Sequence, residues 1–472
     1  MMNKKHAYGI FIFRQDLRIT DNHWFFEACK QCEKIIPLFI LDTTILEKFP
    51  KNDKRLHFQY NALYALHTEL KRFGSSLYVI AWKSITIIKK LIEQESFTYL
   101  WRNRSYWNNA QTRDRSIKKL LKKYTTITLN ETTDYLLVEP EKIPPMKVFT
   151  PYYNRWLAEP KHIGMYTPKS IPKTRSTLKW KNYDLIDPNT FKTYSHPYWP
   201  VHTSSYFQNI LPIAEYDASR NFPAKKWWTA RLSPYLAFWI VSVRQILWLL
   251  INSSTPWVKL DNKWVSMDKK TFNNSFVSEL AWREFWQQIA YHFPESIIHA
   301  FLPKYRHIER TNNKEHFEAR KQGNTWYPIV DAAMKQLLTE NWMHGRCRMI
   351  VASFLTKDLQ IDWKRWEEHF KNYLLDYDRN INIGNRQRSA SVWADPKPLR
   401  IFNPILQSKK FDPQWEYIIH WIHELAWQPI PGIHDPLTYK LNYTQPIINH
   451  YEETKITREL YKNSYEKYHQ QK

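Results

Sequence analysis

The sequence contains no run of about 18 uncharged apolar residues, the length a membrane-spanning helix needs, so no membrane span is expected. Its apolar start, Ala7-Tyr8-Gly9-Ile10-Phe11-Ile12-Phe13, is stopped at once by Arg14, Asp16 and Arg18, and no small-residue cleavage site follows. It reads as a buried first strand and not as a signal segment, which points to a cytoplasmic protein. Cysteine is scarce: Cys29, Cys32 and Cys347 are all there are, too few for a four-thiolate iron–sulfur cluster without another ligand. Cys29-Lys30-Gln31-Cys32 has the C-x-x-C form. A second pair, or histidines at metal spacing, is missing, so it reads as two thiols on the helix after the first strand. Glycine is also short, seven in 472 residues. Acid is outnumbered: 45 Asp and Glu face 69 Lys and Arg, a net charge of +24 that favours a polyanionic partner.

Against these shortages, 43% of the residues are hydrophobic and 16% aromatic, enough to build cores, which excludes a disordered chain. The length suggests two or three packed units. The 23 tryptophans and 29 tyrosines among the basic residues offer faces on which unpaired bases stack.

Strands are expected over 7–13, 35–42, 76–82 and 97–103, and helices over 57–74, ending in Gly74, and around 84–94. Strands alternating with helices predict a doubly wound parallel sheet, a Rossmann-like α/β domain over 1–135. A Pro-rich stretch of weak periodicity, 136–215, reads as a long interdomain connector. From 216 to 472 helical patterns dominate, among them 236–251, 275–293, 327–340, 345–359, 363–376 and 416–427, which predicts an all-α second domain.

None of this names a reaction; the motifs do. Phe13-Arg14-Gln15-Asp16-Leu17-Arg18 with Asp21-Asn22, Met146 to Tyr152, Thr229-Ala230-Arg231-Leu232-Ser233-Pro234, Glu279 to Phe285, Tyr327 to Met334, Trp342 to Met349 and Arg400-Ile401-Phe402-Asn403-Pro404 keep their order and spacing along the chain. Together they resemble the photolyase/cryptochrome family, closest to its cyclobutane pyrimidine dimer photolyases. That resemblance implies FAD in the helical domain. Tyr216 and the turn Thr229, Ala230, Arg231, Leu232 and Ser233 would hold its phosphates, although the turn alone reads as an ordinary helix cap. Arg283 falls on a further cofactor-binding position. Arg348 and Asp376 match an ion pair beside the flavin ring, Asp378 an acceptor of ring N–H groups, and Asn382 the residue facing flavin N5. A cation and hydrogen-bond donors there favour an anionic reduced flavin. Glu279, Trp282, Arg346, Met349 and Arg388 fall on positions that touch a flipped-out lesion. Relatives that repair the other common photolesion carry a histidine pair, of which only His344 remains, the next position being Gly345. The implied partner is DNA containing pyrimidine dimers, handled by a monomer.

The chain departs from the family pattern in places. A family Trp-Gln-Trp is Arg386-Gln387-Arg388 here, and a surface Trp is Arg310, while the middle electron-transfer Trp survives as Trp363. Family glycines are Trp228, Trp239 and Trp326, where a bulky ring should strain or repack the backbone. The residue that anchors a folate antenna in many relatives is Ala110, so a deazaflavin or no antenna is expected instead. Three functions stay open: a light-driven repair enzyme, a photosensor relative without repair, and a basic DNA-binding protein without cofactor.

Overall fold

In a computed structural model of the chain, the described residues are 8–50, 52–162, 165–172, 185–194, 196–201, 216–225, 229–254, 264–265, 275–394, 399–428, 430–436, 438–439, 443 and 447–471. The expected Trp228 lies outside them. The chain divides into two compact units: Met1–Lys142, Arg155–Gln208 and Leu232–Phe272 form the first, and Ile143–Asn154, Asn209–Arg231 and Asn273–Lys472 the second.

The first unit is the expected parallel sheet. Strands β1 (Tyr8–Phe13), β2 (Lys34–Leu41), β3 (Tyr78–Ala81), β4 (Tyr99–Asn103) and β5 (Thr128–Thr132) alternate with helices α1 (His23–Gln31), α2 (Lys54–Arg72), α3 (Ser84–Gln94) and α4 (Asn108–Leu121). Strand order is β5-β4-β1-β2-β3, all parallel, with β6 (Leu185–Ile186) added antiparallel at the edge of β3. β1 is buried along its whole length, as a central strand covered on both faces must be. Asn22 caps α1 by accepting from the Phe25 N–H, and Gly74, at φ 73°, takes the left-handed turn just beyond α2. The chain order reverses at β1, so the crevice at the carboxyl ends of β1 and β4 is this sheet's switch point.

Four charged groups lock this unit internally. Arg244 donates to Asp21 (3.1 Å) and to Asp134 (2.6 Å), Arg18 donates to the other oxygen of Asp134, and Asp21 accepts the Tyr166 N–H (3.0 Å). The helix expected over 236–251 is broken in two, Ser233–Ala237 and Val243–Ser254. The break falls where Trp239 takes φ 49°, a conformation no α-helix accommodates.

The second unit is helical: α5 (Phe149–Ala158), α6 (Ser275–His292), α7 (Lys314–Lys321), α8 (Pro328–Glu340), α9 (Gly345–Ser353), α10 (Trp363–Tyr373), α11 (Arg379–Ser389) and α12 (His450–Gln470). α5 starts inside the stretch expected to be a plain connector, and its residues 149–154 belong to this unit. Val330, Leu337, Val351, Leu355, Phe370 and Ile418 centre its core. The helix expected over 345–359 loosens into a π turn at Phe354–Asp358, where Asp358 pairs with His450 of α12. A π turn inside a helix commonly marks a functional region. α6, α9 and α10 all pack against α11, so α11 is the element on which the candidate site is organised.

Candidate functional site

α9 places Arg348 beside Asp376. The guanidinium donates to Asp376 Oδ2 at 2.7 Å and to the Met343 carbonyl at 2.8 Å, as the expected ion pair requires. The second oxygen of Asp376 is buried with no hydrogen-bond partner. Asp378 caps α11: its carboxylate accepts from the N–H groups of Asn380 (3.0 Å) and Ile381 (3.1 Å) and from Gln287 (3.0 Å). One turn on, Asn382 accepts from Arg386 (2.7 Å) through Oδ1, while its Nδ2 is buried and unmatched.

Four of the buried polar atoms without hydrogen-bond partners lie on or beside α9 and α11: Asp376 Oδ1, Asn382 Nδ2, Arg346 Nε and His344 Nε2. Each such atom costs about 1–3 kcal/mol if it stays unmatched, so this region is shaped for a polar ligand. His344 is neutral: burial and the nearby Arg346 and Arg348 lower its pKa to about 3. Donors, one carboxylate and a cation fit the amide-like edge of a flavin ring, and FAD is compatible with the set.

The other expected cofactor residues stand on other segments of the chain. The Tyr216 ring stands edge-on to Phe276 at 5.1 Å, and burial with the nearby Glu279 raises its hydroxyl pKa. Thr229 is half-buried, and Ala230 and Leu232 are buried. Ser233 is exposed at the start of a short helix whose other residues are buried and whose cap residue, Leu232, makes no side-chain cap hydrogen bond. Arg231 turns away to Glu340 (2.8 Å) and lies 4.6 Å from the Trp342 ring centre. Arg283 sits half-buried on α6.

α6 also carries the expected lesion residues. Glu279 is exposed and paired with Arg220 at 2.7 Å. Trp282 stacks on Phe149 with ring centres 3.7 Å apart, and the Arg388 guanidinium lies 4.4 Å from the same indole. A parallel ring at that distance fills one face, so Arg388 must cover the other. Phe149 was not among the expected residues; only tertiary packing brings it to Trp282. Arg346 donates to Asn221 (2.5 Å) and lies over Phe411, and Met349 is exposed.

At the electron-transfer positions, Trp363 is buried at the start of α10 among Tyr305, Ile383 and Tyr461. Arg310 donates to the Thr356 carbonyl (2.8 Å) and the Tyr461 hydroxyl (3.3 Å). Arg386 is fully buried, 4.0 Å from the ring centres of both Trp366 and Phe370. Sequence reasoning missed this cage, although Trp366 and Phe370 stand four residues apart on one helix face, a spacing that could have revealed it.

In the first unit, the crevice beside β1 and β4 is cationic. Arg14 and Arg102 both pair with Asp114 (3.0 and 3.1 Å), Arg102 also pairs with Glu131 (2.9 Å), and Arg113 is half-buried with an unmatched Nε. Among the described residues no cluster of three metal-ligating side chains occurs, and no helix is long and apolar enough to cross a membrane.

A doubly wound sheet unit joined in one chain to a helical unit with an Arg–carboxylate pair amid unmatched polar atoms defines a two-unit cofactor protein. Residues 10–173 match the family model of DNA photolyase, and residues 276–463 that of the FAD binding domain of DNA photolyase. The deoxyribodipyrimidine photo-lyase of Synechococcus is 34% identical over 96% of this chain and 96% of its own, and that of Escherichia coli 31% over 93% and 95%. An archaeal photolyase structure from Sulfolobus tokodaii, described with two FAD molecules, superposes with a TM-score of 0.83 at 30% identity, covering 97% of this chain and all of that one. A Synechocystis cryptochrome at 23% identity shares the fold, with a TM-score of 0.82. The chain belongs to the DNA photolyase family, the FAD-dependent enzymes of light-driven DNA repair.

Proposed function

We propose that the chain is a deoxyribodipyrimidine photolyase, splitting cyclobutane pyrimidine dimers that it takes flipped out of the DNA. The observation that carries this is the packing of α6, with Glu279 and Trp282, directly on α11, with Asp378 and Asn382. Lesion-facing and flavin-facing residues thus lie on adjacent helices. When bound, FAD supplies the light-excited electron donor. Arg348, fixed by Asp376, keeps a positive charge beside the ring; Asp378 and Asn382 orient it; Tyr216, Arg283 and the 229–233 turn hold its remainder. Glu279 accepts an N–H from a base edge, with Arg220 fixing the carboxylate. Trp282 offers its indole to the lesion once Arg388 moves off. Arg346 meets the DNA backbone, and Met349 lines the apolar side.

The net charge of +24 supports binding to a polyanion. We assign the protein to the cytoplasm, as a monomer, since one chain carries every residue named. For the antenna, the cationic crevice of Arg14, Arg102 and Arg113, with Ala110 nearby, supports an anionic chromophore of deazaflavin or flavin type over a folate.

The test is dimer loss from ultraviolet-irradiated DNA, using FAD-loaded protein reduced with dithionite, in blue light and in the dark. Loss in light alone is expected. Bound, reduced FAD without dimer loss would turn the reading to a photosensor. Asp376→Ala should retain FAD poorly through gel filtration, since Arg348 loses its partner.

A further inference from the structure

Three tryptophans stand where the backbone is left-handed: Trp239 (φ 49°), Trp326 (φ 75°) and Trp415 (φ 49°). That region suits glycine, which has no Cβ, and after it asparagine and aspartate; a bulky side chain there is a true outlier. Among the described residues six other non-glycine residues have positive φ: Asp21, Asn312 and Asn341 are of the expected kind, while Arg231, Gln360 and Ser391 are single residues of three different types. All three tryptophans sit in tightly bonded turns. The Trp239 carbonyl accepts from Arg18 (2.5 Å), the Trp326 N–H donates to Asp331 (3.0 Å), and the Trp415 N–H donates to the Asp412 carbonyl (2.8 Å).

Two arginines are misplaced in the complementary sense. Arg320 is fully buried, none of its three guanidinium nitrogens has a partner, and burial alone lowers its pKa to about 9. Arg386 is buried between Trp366 and Phe370 with one amide as its hydrogen-bond partner. Proteins avoid a buried cation without a counter-ion, whereas an indole in an aromatic cage is at home.

The two sets are reciprocal. Tryptophan stands at three positions where the backbone suits glycine, and arginine at two where the surroundings suit tryptophan. Composition agrees: seven glycines in 472 residues, against an average usage of about 7%. The sequence resemblance points the same way, with Trp239 and Trp326 on family glycines and Arg386 on a family tryptophan. Independent substitutions would scatter over many residue types, but a rule acting on codons produces this pattern at once. We infer that the organism making this protein reads one codon written here as tryptophan as glycine, and one written here as arginine as tryptophan. The polypeptide it makes then carries glycine at 239, 326 and 415 and tryptophan at 320 and 386. Synonymous codons leave other positions as written, such as Trp282 in its stack and Arg348 in its ion pair.

Peptide mass spectrometry of the protein isolated from its own cells tests this. Glycine-bearing peptides are expected across 239, 326 and 415, and trypsin should fail to cut after 320 and 386. Peptides with Trp at those three positions and Arg at those two would overturn the inference. A second measurement compares two recombinant chains in a host with the ordinary code, the one above and its Trp239→Gly, Trp326→Gly, Trp415→Gly, Arg320→Trp, Arg386→Trp variant. The variant should melt about 5–10 °C higher; an equal or lower midpoint would count against the inference.

Discussion

Arg18, Arg102 and Arg244 in the sheet unit and Arg320 and Arg386 in the helical unit are the buried arginines among the described residues, and their surroundings are opposite. Each of the first three meets carboxylates: Arg18 and Arg244 share Asp134, Arg244 adds Asp21, and Arg102 has Asp114 and Glu131. Arg320 has no hydrogen-bond partner, only the Trp366 and Phe370 rings at 5.6 and 5.7 Å, and Arg386 has a single amide beside the same two rings. Taking a charge out of water costs several kcal/mol, offset only by well-placed counter-charge. The sheet unit is therefore built around its arginines, while the helical unit of the chain with arginine at 320 and 386 holds two that its packing does not call for.

The largest expected effect is on the matched side. Arg244→Met leaves Asp21 and Asp134 with one guanidinium in place of two, and should cost about 3–5 kcal/mol, read from denaturant unfolding. A loss below about 1 kcal/mol would erase the contrast between the units. On the unmatched side the sign reverses. Arg320→Leu removes a buried charge that no carboxylate offsets and should stabilise by about 1–4 kcal/mol. Destabilisation by that variant would show that the Trp366 and Phe370 rings, or a counter-ion, offset the charge.

The same contrast explains what could be read before the fold was known. Alternating apolar runs placed β1 to β4 within a few residues, because a doubly covered sheet leaves strands little choice. The ordered motifs led to Arg348 and Asp376, and these do pair. The broken helix at 238–242 was not legible in the periodicity, which runs on unbroken; its cause is one backbone angle at Trp239, marked in the sequence only by the family glycine it stands on. Nor was the Phe149–Trp282–Arg388 stack, which joins three segments far apart in sequence. Periodicity reports a helix face, not which distant ring covers it.

A smaller effect tests the field of the unmatched arginines through acidity. His369 is buried, and burial together with Arg320, Lys321 and Arg386 lowers its pKa to about 2. A base whose folded pKa lies below its unfolded value, about 6.5, adds stability above that value and loses it as the pH falls. Between pH 7 and pH 5 the unfolded chain gains a proton at His369 that the folded chain refuses, a loss of about 2 kcal/mol. His369→Gln should therefore lose about 2 kcal/mol less than the parent over that interval. Identical acid dependence in both proteins would mean that His369 titrates normally and that the field of Arg320 and Arg386 does not reach it.

The smallest effect concerns a third arginine, which is neither matched nor orphaned but stacked. Arg388 covers the face of Trp282 left open by Phe149, and its guanidinium lies 4.4 Å from the indole. A base can take that face only after Arg388 leaves. The contact is half-exposed and is worth about 0.5–1 kcal/mol, a two- to five-fold factor in binding. The displaced cation still attracts phosphate, so it weakens the preference for a lesion while strengthening DNA binding at large. Arg388→Ala should raise the ratio of affinities for dimer-containing over intact DNA about two- to five-fold and reduce the salt dependence of both. Arg388→Lys separates the two roles, since an ammonium keeps the charge but cannot lie flat on an indole. It should gain the higher ratio and keep the parent's salt dependence. If the lysine variant discriminates no better than the parent, the guanidinium is not competing with the base, and Trp282 is not where the lesion stacks.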